Sequence, residues 1–304
     1  MTDVKHIPVL LNEVIQVLDP KPGEFFIDGT LGGGGHTVAI AKYLESNGRI
    51  LAVDADNEAV KRVAAEFPIS PPKADPPRAE NFQFQIFHSS YTEISEILKK
   101  EKLPKADGLL LDLGFSSFQI DDPQRGFSFL HDAPLDMRYD TDSKNISAKD
   151  VVNGTGEKEL SDIFWKYGEE RRSRIIAKKI IEARKKEKIE TTGQLARIIE
   201  KAVLRGRMHP ATKVFQALRI YVNKELENVE TIMREIPDII GNNGRVAVIS
   251  FHSLEDRIVK NAFRDLVRSK KAEFINKKPI IPTRAELLNN PRSRSAKLRA
   301  IHII

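Results

Sequence analysis

The chain has 304 residues, of which 40% are hydrophobic and 30% charged, and it contains no cysteine. This length and hydrophobicity allow one large domain or two ordinary ones with real cores, which excludes global disorder. The missing cysteines exclude disulfides and thiolate metal ligands. The start lacks a signal-peptide pattern and no apolar run approaches twenty residues, so we predict a cytoplasmic protein without a membrane span.

Charge is distributed unevenly along the chain. The net charge is +6 at pH 7, yet residues 166–219 carry a balance of +10 and residues 260–304 a balance of +9, which leaves −13 for the remainder. Two basic segments on an acidic body favour a polyanionic partner such as nucleic acid. Ordinary solvated helix faces are the alternative.

Strand-like and helix-like segments alternate over the first third of the chain. Segments 38–44 and 58–67 have helical patterns, and they lie among four strand-like apolar runs at 24–28, 49–53, 82–87 and 107–111. This alternation predicts βαβ units and a parallel sheet. Five prolines between Phe67 and Phe82 predict an exposed loop without regular structure.

The middle of the chain has a helical character. Residues 157–205 predict helices throughout, with Thr191 or Thr192 as the N-cap of the last one, and a further helical pattern runs from Pro210 to about Ile236. No strand is predicted within residues 157–205.

Strand signals return at RVAVIS (245–250) and AKLRAIHII (296–304). We therefore predict an α/β domain formed by residues 1–118 and 210–304, interrupted by a helical domain at residues 119–209.

A run of four glycines, Gly32 to Gly35, lies between the first predicted strand and the first predicted helix. Glycines at such a turn let backbone N–H groups approach a ligand, and the helix N-terminus adds a partial positive charge. A flexible linker is the alternative, but both flanks predict regular structure. The run does not fit G-x-G-x-x-G, and no lysine follows it as a phosphate loop would require.

Acidic residues end the neighbouring strands. Asp54 follows the second strand, where a carboxylate suits ribose hydroxyls, and Asp28 ends the first. Two acids near the ligand favour a cationic cofactor, and the missing phosphate-loop lysine argues against a pyrophosphate. S-adenosylmethionine has a ribose, a positive charge and no phosphate; NAD is the second candidate. Asp112, after the fourth strand, is either a site residue at the same edge or an ordinary turn residue.

The chain resembles the bacterial MraW/RsmH family of ribosomal small-subunit RNA cytosine-N4 methyltransferases. The likeness runs from residue 6 to residue 300, and only the proline-rich stretch 68–80 is clearly unmatched. The matching stretches are HIPVLLNEV, FIDGTLGGGGHT, DGLLLDLGFSSFQIDDPQRGFSF, APLDMRYD, HPATKVFQALRIYVNKEL, GRVAVISFHSLEDRIVK and NPRSRSAKLRA.

The resemblance implies an α/β fold, a class I (Rossmann-like) S-adenosylmethionine-dependent methyltransferase sheet with an inserted all-helical, RNA-recognising domain. It implies methylation of the exocyclic N4 of one cytidine in the decoding region of 16S rRNA, on an assembled or nearly assembled small subunit. Asp54 would bind the ribose and Tyr91 would pack on the adenine. The cofactor pocket implied by the family consists of Gly34, Gly35, His36, Asp54, Tyr91, Asp112 and Gln119.

The chemistry of the N4 amine sets the catalytic expectations. Its lone pair is delocalised into the ring, so catalysis needs orientation, an acceptor for an N–H and exclusion of water. Amino-methyltransferases often have [DNS]-P-P-[YFW] after the fourth strand, where this chain has Asp112, Leu113, Gly114 and Phe115. We expect Asp112 to accept from either the cofactor or the target amine, and Phe115 to stack on the base or to fill the core. A histidine at a helix N-terminus resists protonation, which makes His36 a cofactor contact rather than a base.

We expect RNA binding on the basic segments and no catalytic metal. The candidate phosphate ligands are Arg171, Arg172, Arg174, Lys178, Lys179, Arg292, Arg294 and Lys297. Expected partners are 16S rRNA in the small ribosomal subunit, with no membrane and no DNA, and the oligomeric state, a homodimer included, stays open. The rival functions are a nicotinamide-dependent oxidoreductase, a non-catalytic RNA-binding protein and a DNA methyltransferase.

Overall fold

The computed structural model describes residues 7–66, 83–203 and 209–304. The predicted proline-rich loop and the last two residues of the segment predicted as helical at 157–205 lie outside this range. The chain divides into two compact units, one formed by Met1–Gly114 with Leu226–Ile304 and the other by Phe115–Glu225.

The unit boundaries differ from the predicted ones. Residues 115–118 and 210–225, which we assigned to the sheet domain, belong to the second unit, where the helix Ala211–Val222 packs against the helix Glu157–Gly168.

Seven strands of the described ranges form one sheet in the first unit. They are β1 (Phe25–Asp28), β2 (Arg49–Asp54), β3 (Gln83–His88), β4 (Ala106–Asp112), β5 (Ile240–Ser250), β6 (Ala272–Phe274) and β7 (Lys297–Ile303). Their order is β3-β2-β1-β4-β5-β7-β6, with β1 to β5 parallel and β7 antiparallel to both its neighbours. The predicted parallel sheet and the return of the chain to it through RVAVIS are confirmed.

Helices flank the sheet and make up most of the second unit. Those of the described ranges are α1 (Leu11–Leu18), α2 (Gly35–Leu44), α3 (Asn57–Glu66), α4 (Ile94–Lys100), α5 (Ser117–Asp121), α6 (Ala148–Gly154), α7 (Glu157–Gly168), α8 (Ser173–Arg184), α9 (Thr192–Ala202), α10 (Ala211–Val222), α11 (Glu225–Ile239), α12 (Ser253–Arg268) and α13 (Arg284–Asn289). Within these ranges no helix has the length and apolar character needed to cross a bilayer.

The central strands β1, β2, β4 and β5 are buried on both faces over most of their length, which explains why they are apolar runs rather than alternating patterns. In β1, Phe25 and Ile27 face a core that includes Ile236 of α11. Phe26 faces the opposite core, which includes Ile40 of α2. Because the strands are packed on both faces, side chains at their carboxyl ends can be held in fixed positions.

The second unit is a helical assembly in which α7 packs against α8 and α10, and α8 packs against α9. The continuous helix predicted from Pro210 is instead two helices, because Lys224 has a left-handed backbone with φ of +51° between α10 and α11. Thr191 is the N-cap of α9, as predicted, and it forms a capping box with Gln194.

Candidate functional site

Three acids lie at the carboxyl ends of β1, β2 and β4. Asp28 pairs in register with Ala52 and Leu110, so Asp54 and Asp112 stand two residues beyond it on either side. The strand order reverses at β1, and open α/β sheets bind ligands at such a switch point. The end of β1 is therefore the floor of a crevice between two longer strands.

The glycine-containing loop is fixed to both walls of this crevice. The Thr30 hydroxyl accepts from the backbone N–H of Asp112 at 2.6 Å, which joins the loop to β4. The Gly32 N–H donates to Asp54 Oδ2 at 2.7 Å, which joins it to β2. These hydrogen bonds show that the loop is held in place and is not a flexible linker.

The glycines serve different geometric needs. The Gly34 N–H donates to the Leu31 carbonyl at 2.7 Å and closes a turn in which Gly32 has φ of +51°. A Cβ on Gly35 would lie 2.3 Å from Cγ of Pro8, so a side chain has no room there. Among the described residues no side chain caps the N-terminus of α2, so its first N–H groups can donate to a ligand.

Asp28 holds the start of α2 against the sheet. It is only 2% exposed, and its Oδ2 accepts from the Thr37 hydroxyl at 2.5 Å while its Oδ1 accepts from the Thr30 N–H at 3.0 Å. Burial raises the pKa of Asp28, although these hydrogen bonds oppose the shift. Asp28 thus organises the loop and adds negative charge beneath the crevice when ionised.

Asp54 combines structural hydrogen bonds with remaining acceptor capacity. Its Oδ1 accepts from the Asp56 N–H at 2.8 Å and its Oδ2 from the Gly32 N–H. Burial raises the pKa of Asp54 to about 6, with the hydrogen bonds from Asp56 and Gly32 opposing and the charges of Asp56 and Asp28 adding to the rise. The group is mainly ionised at pH 7, and each oxygen keeps a lone pair for a further donor.

His36 is a buried, neutral imidazole. Its Nε2 lies 3.0 Å from the Val9 carbonyl, and since a carbonyl only accepts, Nε2 carries the proton and Nδ1 is an acceptor. Burial lowers the pKa of His36 to about 4, although the hydrogen bond to Val9 opposes the shift. His36 is therefore too weak a base to hold a proton at neutral pH, in agreement with a contact role.

Asp112 is the carboxyl with the least compensation. Its Oδ2 lies 3.8 Å from His36 Nδ1, longer than a hydrogen bond, and its buried Oδ1 has no hydrogen-bond partner among the residues that the structure describes. Burial raises the pKa of Asp112 well above 3.8, and the negative charges of Asp28 and Glu255 add to the rise. A buried acceptor without a donor beside other acids suits a ligand that brings hydrogen-bond donors and positive charge.

Tyr91 lies at the same edge of the sheet. It begins a short 3₁₀ turn, Tyr91–Glu93, shortly after β3, and the Ser90 hydroxyl accepts from the Thr92 N–H there. A Cβ placed on Gly29 would lie 3.2 Å from Cβ of Tyr91. The backbone that carries the Tyr91 ring is therefore adjacent to the loop, and the adenine-packing role of the ring stays a prediction.

Phe115 and Gln119 belong to the second unit. Phe115 is 37% exposed, with its ring centroid 5.9 Å from that of Phe127 and 4.6 Å from the guanidinium carbon of Arg219, so it is not a core residue. Gln119 is buried, and its Oε1 accepts from the Ser116 N–H at 2.8 Å in a capping box at the start of α5. Its predicted cofactor contact stays a prediction.

The predicted phosphate ligands differ in how accessible their charges are. Those exposed at the surface are Arg171, Arg172, Arg174, Lys178, Lys179, Arg292 and Arg294. Lys179 pairs with Glu182 at 2.7 Å. Lys297 lies 3.2 Å from Asp256, which Arg299 also contacts at 2.7 Å, so this lysine has a structural ion pair.

Sequence reasoning missed three residues that shape the site. Thr30 and Thr37 fix the loop through Asp112 and Asp28, and nothing local in the sequence distinguishes them from other loop threonines. Glu255, 1% exposed, accepts from the Phe251 N–H at 2.9 Å and raises the pKa of Asp112. A capping-box pattern after RVAVIS was the available signal, with His252 as the N-cap and Glu255 three residues later.

Comparison with known proteins gives a consistent set of similarities. The model of the MraW methylase family matches residues 3–304. A protein of Ehrlichia chaffeensis named "Ribosomal RNA small subunit methyltransferase H" is 43% identical, with 97% of this chain and 99% of the relative covered. Relatives with the same name from Dictyoglomus turgidum and Fusobacterium nucleatum are 42% and 43% identical, each with 98% of this chain and 97% of the relative covered.

Proposed function

Because the chain belongs to the MraW methylase family, we propose that it transfers a methyl group from S-adenosylmethionine to the exocyclic N4 of a cytidine in the decoding region of 16S rRNA, in the small ribosomal subunit. The predicted family, the enzyme class of rRNA methyltransferases, the fold class and the cofactor are confirmed. The N4 position, the decoding region and the assembled subunit as substrate are parts of the proposal.

The crevice above β1 is the observation that carries the proposal. Its walls end in Asp54 and Asp112, its floor is Asp28, and each of the three acids has a raised pKa because it is buried. S-adenosylmethionine supplies an activated methyl group together with a sulfonium and an amino group, both cationic. The residues fit this ligand, since positive charge compensates the buried acids and donors satisfy Asp112 Oδ1.

Each residue around the crevice has a role that its geometry supports. Asp54 has lone pairs directed to accept from ribose hydroxyls, while Gly34 and Gly35 bring the uncapped start of α2 to the cofactor. His36 stays neutral and presents Nδ1 as an acceptor. Tyr91 packs on the adenine, and Gln119 is a further proposed cofactor contact.

Asp112 is the proposed acceptor for either the cofactor or the target amine. A raised pKa makes its ionised form a stronger acceptor than an exposed carboxylate, and a bound cation favours that ionised form. Replacement of Asp112 by Asn separates the two roles. Loss of cofactor affinity assigns the residue to the cofactor, whereas unchanged affinity with a loss of turnover assigns it to the amine.

Phe115 is proposed as the stacking surface for the target base. It follows Asp112 by three residues, and its ring is partly exposed at one end of a stack that continues through Phe127 to Tyr139. Enzymes that act on a nucleobase hold it out of its stack against aromatic or apolar rings.

The first test is methyl transfer to rRNA. The protein is incubated with labelled S-adenosylmethionine and small subunits that lack the modification, and the rRNA is then separated from the ribosomal proteins. We expect label in the 16S rRNA. Binding of S-adenosylmethionine without label in rRNA would support a non-catalytic RNA-binding protein, and binding of NAD alone would support the oxidoreductase.

A further inference from the structure

A groove with a basic lining lies between α8 and α9 in the second unit. Its volume is about 510 Å³. Part of its lining is apolar and comes from Ala183, Ile189 and Ile198. The charged and polar side chains that line it are Lys179, Glu182, Lys186, Glu187, Lys188, Gln194, Arg197 and Lys201.

Cations outnumber anions in this groove by five to two, and most of the positive charge is not compensated. Lys179 pairs with Glu182, and Arg197 lies 3.8 Å from Asp132. The exposed ammonium groups of Lys186, Lys188 and Lys201 form no hydrogen bond or ion pair with any residue of the described ranges. These three lysines therefore lack a direct ion pair among the described residues, and the lining as a whole carries a net charge of +3.

Two other polar residues of the lining, Gln194 and Glu182, are already engaged. The Gln194 side-chain oxygen accepts from the Glu190 N–H at 2.7 Å and from the Thr191 N–H at 3.0 Å. The pKa of Glu182 is lowered by the hydrogen bond from Lys179 and by the charges of Lys178 and Lys186, so this acid stays ionised and offsets the charge of Lys179. The groove offers its ligand positive charge rather than specific hydrogen bonds.

We propose that the groove between α8 and α9 binds the phosphate backbone of the RNA substrate through Lys186, Lys188 and Lys201. The proposal rests on the proposed function for the nature of the RNA. Lysines on flexible stems act as point charges for phosphates, and an open groove accepts a chain that continues beyond both its ends. A protein partner would need large apolar anchors, whereas the apolar residues that line the groove are two isoleucines and Ala183, and Ile189 is only 2% exposed.

The test compares two pairs of charge reversals in the full-length protein. The groove variant combines Lys186→Glu with Lys201→Glu. The control variant combines Lys144→Glu with Lys158→Glu, two exposed lysines of the same unit that do not line the groove. Affinity for deproteinised 16S rRNA is measured by filter binding at several salt concentrations, beside the S-adenosylmethionine affinity and a thermal unfolding curve.

We expect the groove variant to bind rRNA on the order of tenfold more weakly at 0.1 M salt, with unchanged cofactor affinity and unfolding temperature, while the control variant binds as the wild type. A Lys186→Ala, Lys201→Ala protein should reduce the slope of log K against log salt by about 1.4 to 1.8, as expected for two lost phosphate contacts. Equal losses in groove and control variants, or an unchanged slope, would overturn the proposal.

Two further comparisons separate this proposal from others. Unchanged affinity for naked rRNA together with weaker binding to intact subunits would overturn it in favour of a protein partner. Binding and methyl transfer are measured separately, so a wild-type protein that transfers no methyl group while the groove variant loses RNA affinity would contradict the proposed function and leave the groove supported.

Discussion

Replacement of Asp54 by Ala tests the cofactor site most selectively. The carboxylate lies at the end of β2, and each oxygen accepts one backbone N–H while keeping a lone pair. Two ribose hydroxyls that donate to this charged group contribute about 1.5 kcal/mol each at the lower end of the usual range. Their loss weakens S-adenosylmethionine binding by about 3 kcal/mol, or roughly a hundredfold. The S-adenosylmethionine affinity of Asp54→Asn, which keeps one side-chain oxygen as an acceptor, should lie between those of the wild type and Asp54→Ala.

Calorimetric titration of S-adenosylmethionine into the wild type and both variants measures this effect. Asp265→Ala is the matched control, because Asp265 is 66% exposed on α12. Unfolding curves without cofactor separate loss of binding from loss of the loop that Gly32 anchors to Asp54. RNA affinity should stay nearly unchanged. Wild-type cofactor affinity in Asp54→Ala, or equal losses of cofactor and RNA affinity, would refute the ribose role.

Three further predictions concern the site. The pKa of Asp54 is raised to about 6, so protonation between pH 7 and pH 5 should weaken S-adenosylmethionine binding about tenfold, and this dependence should disappear in Asp54→Asn; a persisting dependence would assign it to another group. Gly35→Ala would place Cβ 2.3 Å from Cγ of Pro8 and should lower the free energy of unfolding by about 1–3 kcal/mol in denaturant titrations, whereas Gly154→Ala, with no atom within 4 Å, should not. Phe115→Ala should reduce kcat/KM for rRNA methylation about tenfold or more at unchanged cofactor affinity, since stacking contributes about 1–3 kcal/mol per base. Phe115→Tyr, which keeps an aromatic ring, should stay close to the wild type. Equal values of kcat/KM for Phe115→Ala and the wild type would exclude the stacking role.

The sheet was predictable because its strands carry their own signal. Runs such as RILAV and RVAVIS are buried on both faces, so composition alone indicates their structure. The break between α10 and α11 was not, because the apolar periodicity continues across Lys224, whose left-handed backbone has no residue signature. The short edge strand β6 was missed because three residues provide too little pattern.

The positions of the site acids were predictable for a topological reason. Asp28, Asp54 and Asp112 each end a predicted strand, and parallel strands bring their carboxyl ends to one edge. Their environments were not predictable, since these depend on contacts far apart in the chain. The tautomer of His36 is set by the Val9 carbonyl, 27 residues earlier.

Nucleoside mapping of rRNA after reaction tests the central claim most directly. Small subunits that lack the modification are incubated with the wild type and S-adenosylmethionine at a concentration near its wild-type dissociation constant. The 16S rRNA is then digested and analysed by mass spectrometry, with Asp54→Ala as the control with weakened cofactor binding. We expect one added methyl group, at N4 of a single cytidine in a fragment from the decoding region. A methyl group on another base, on a carbon of cytosine or on a ribose would contradict the account, and so would full transfer by Asp54→Ala.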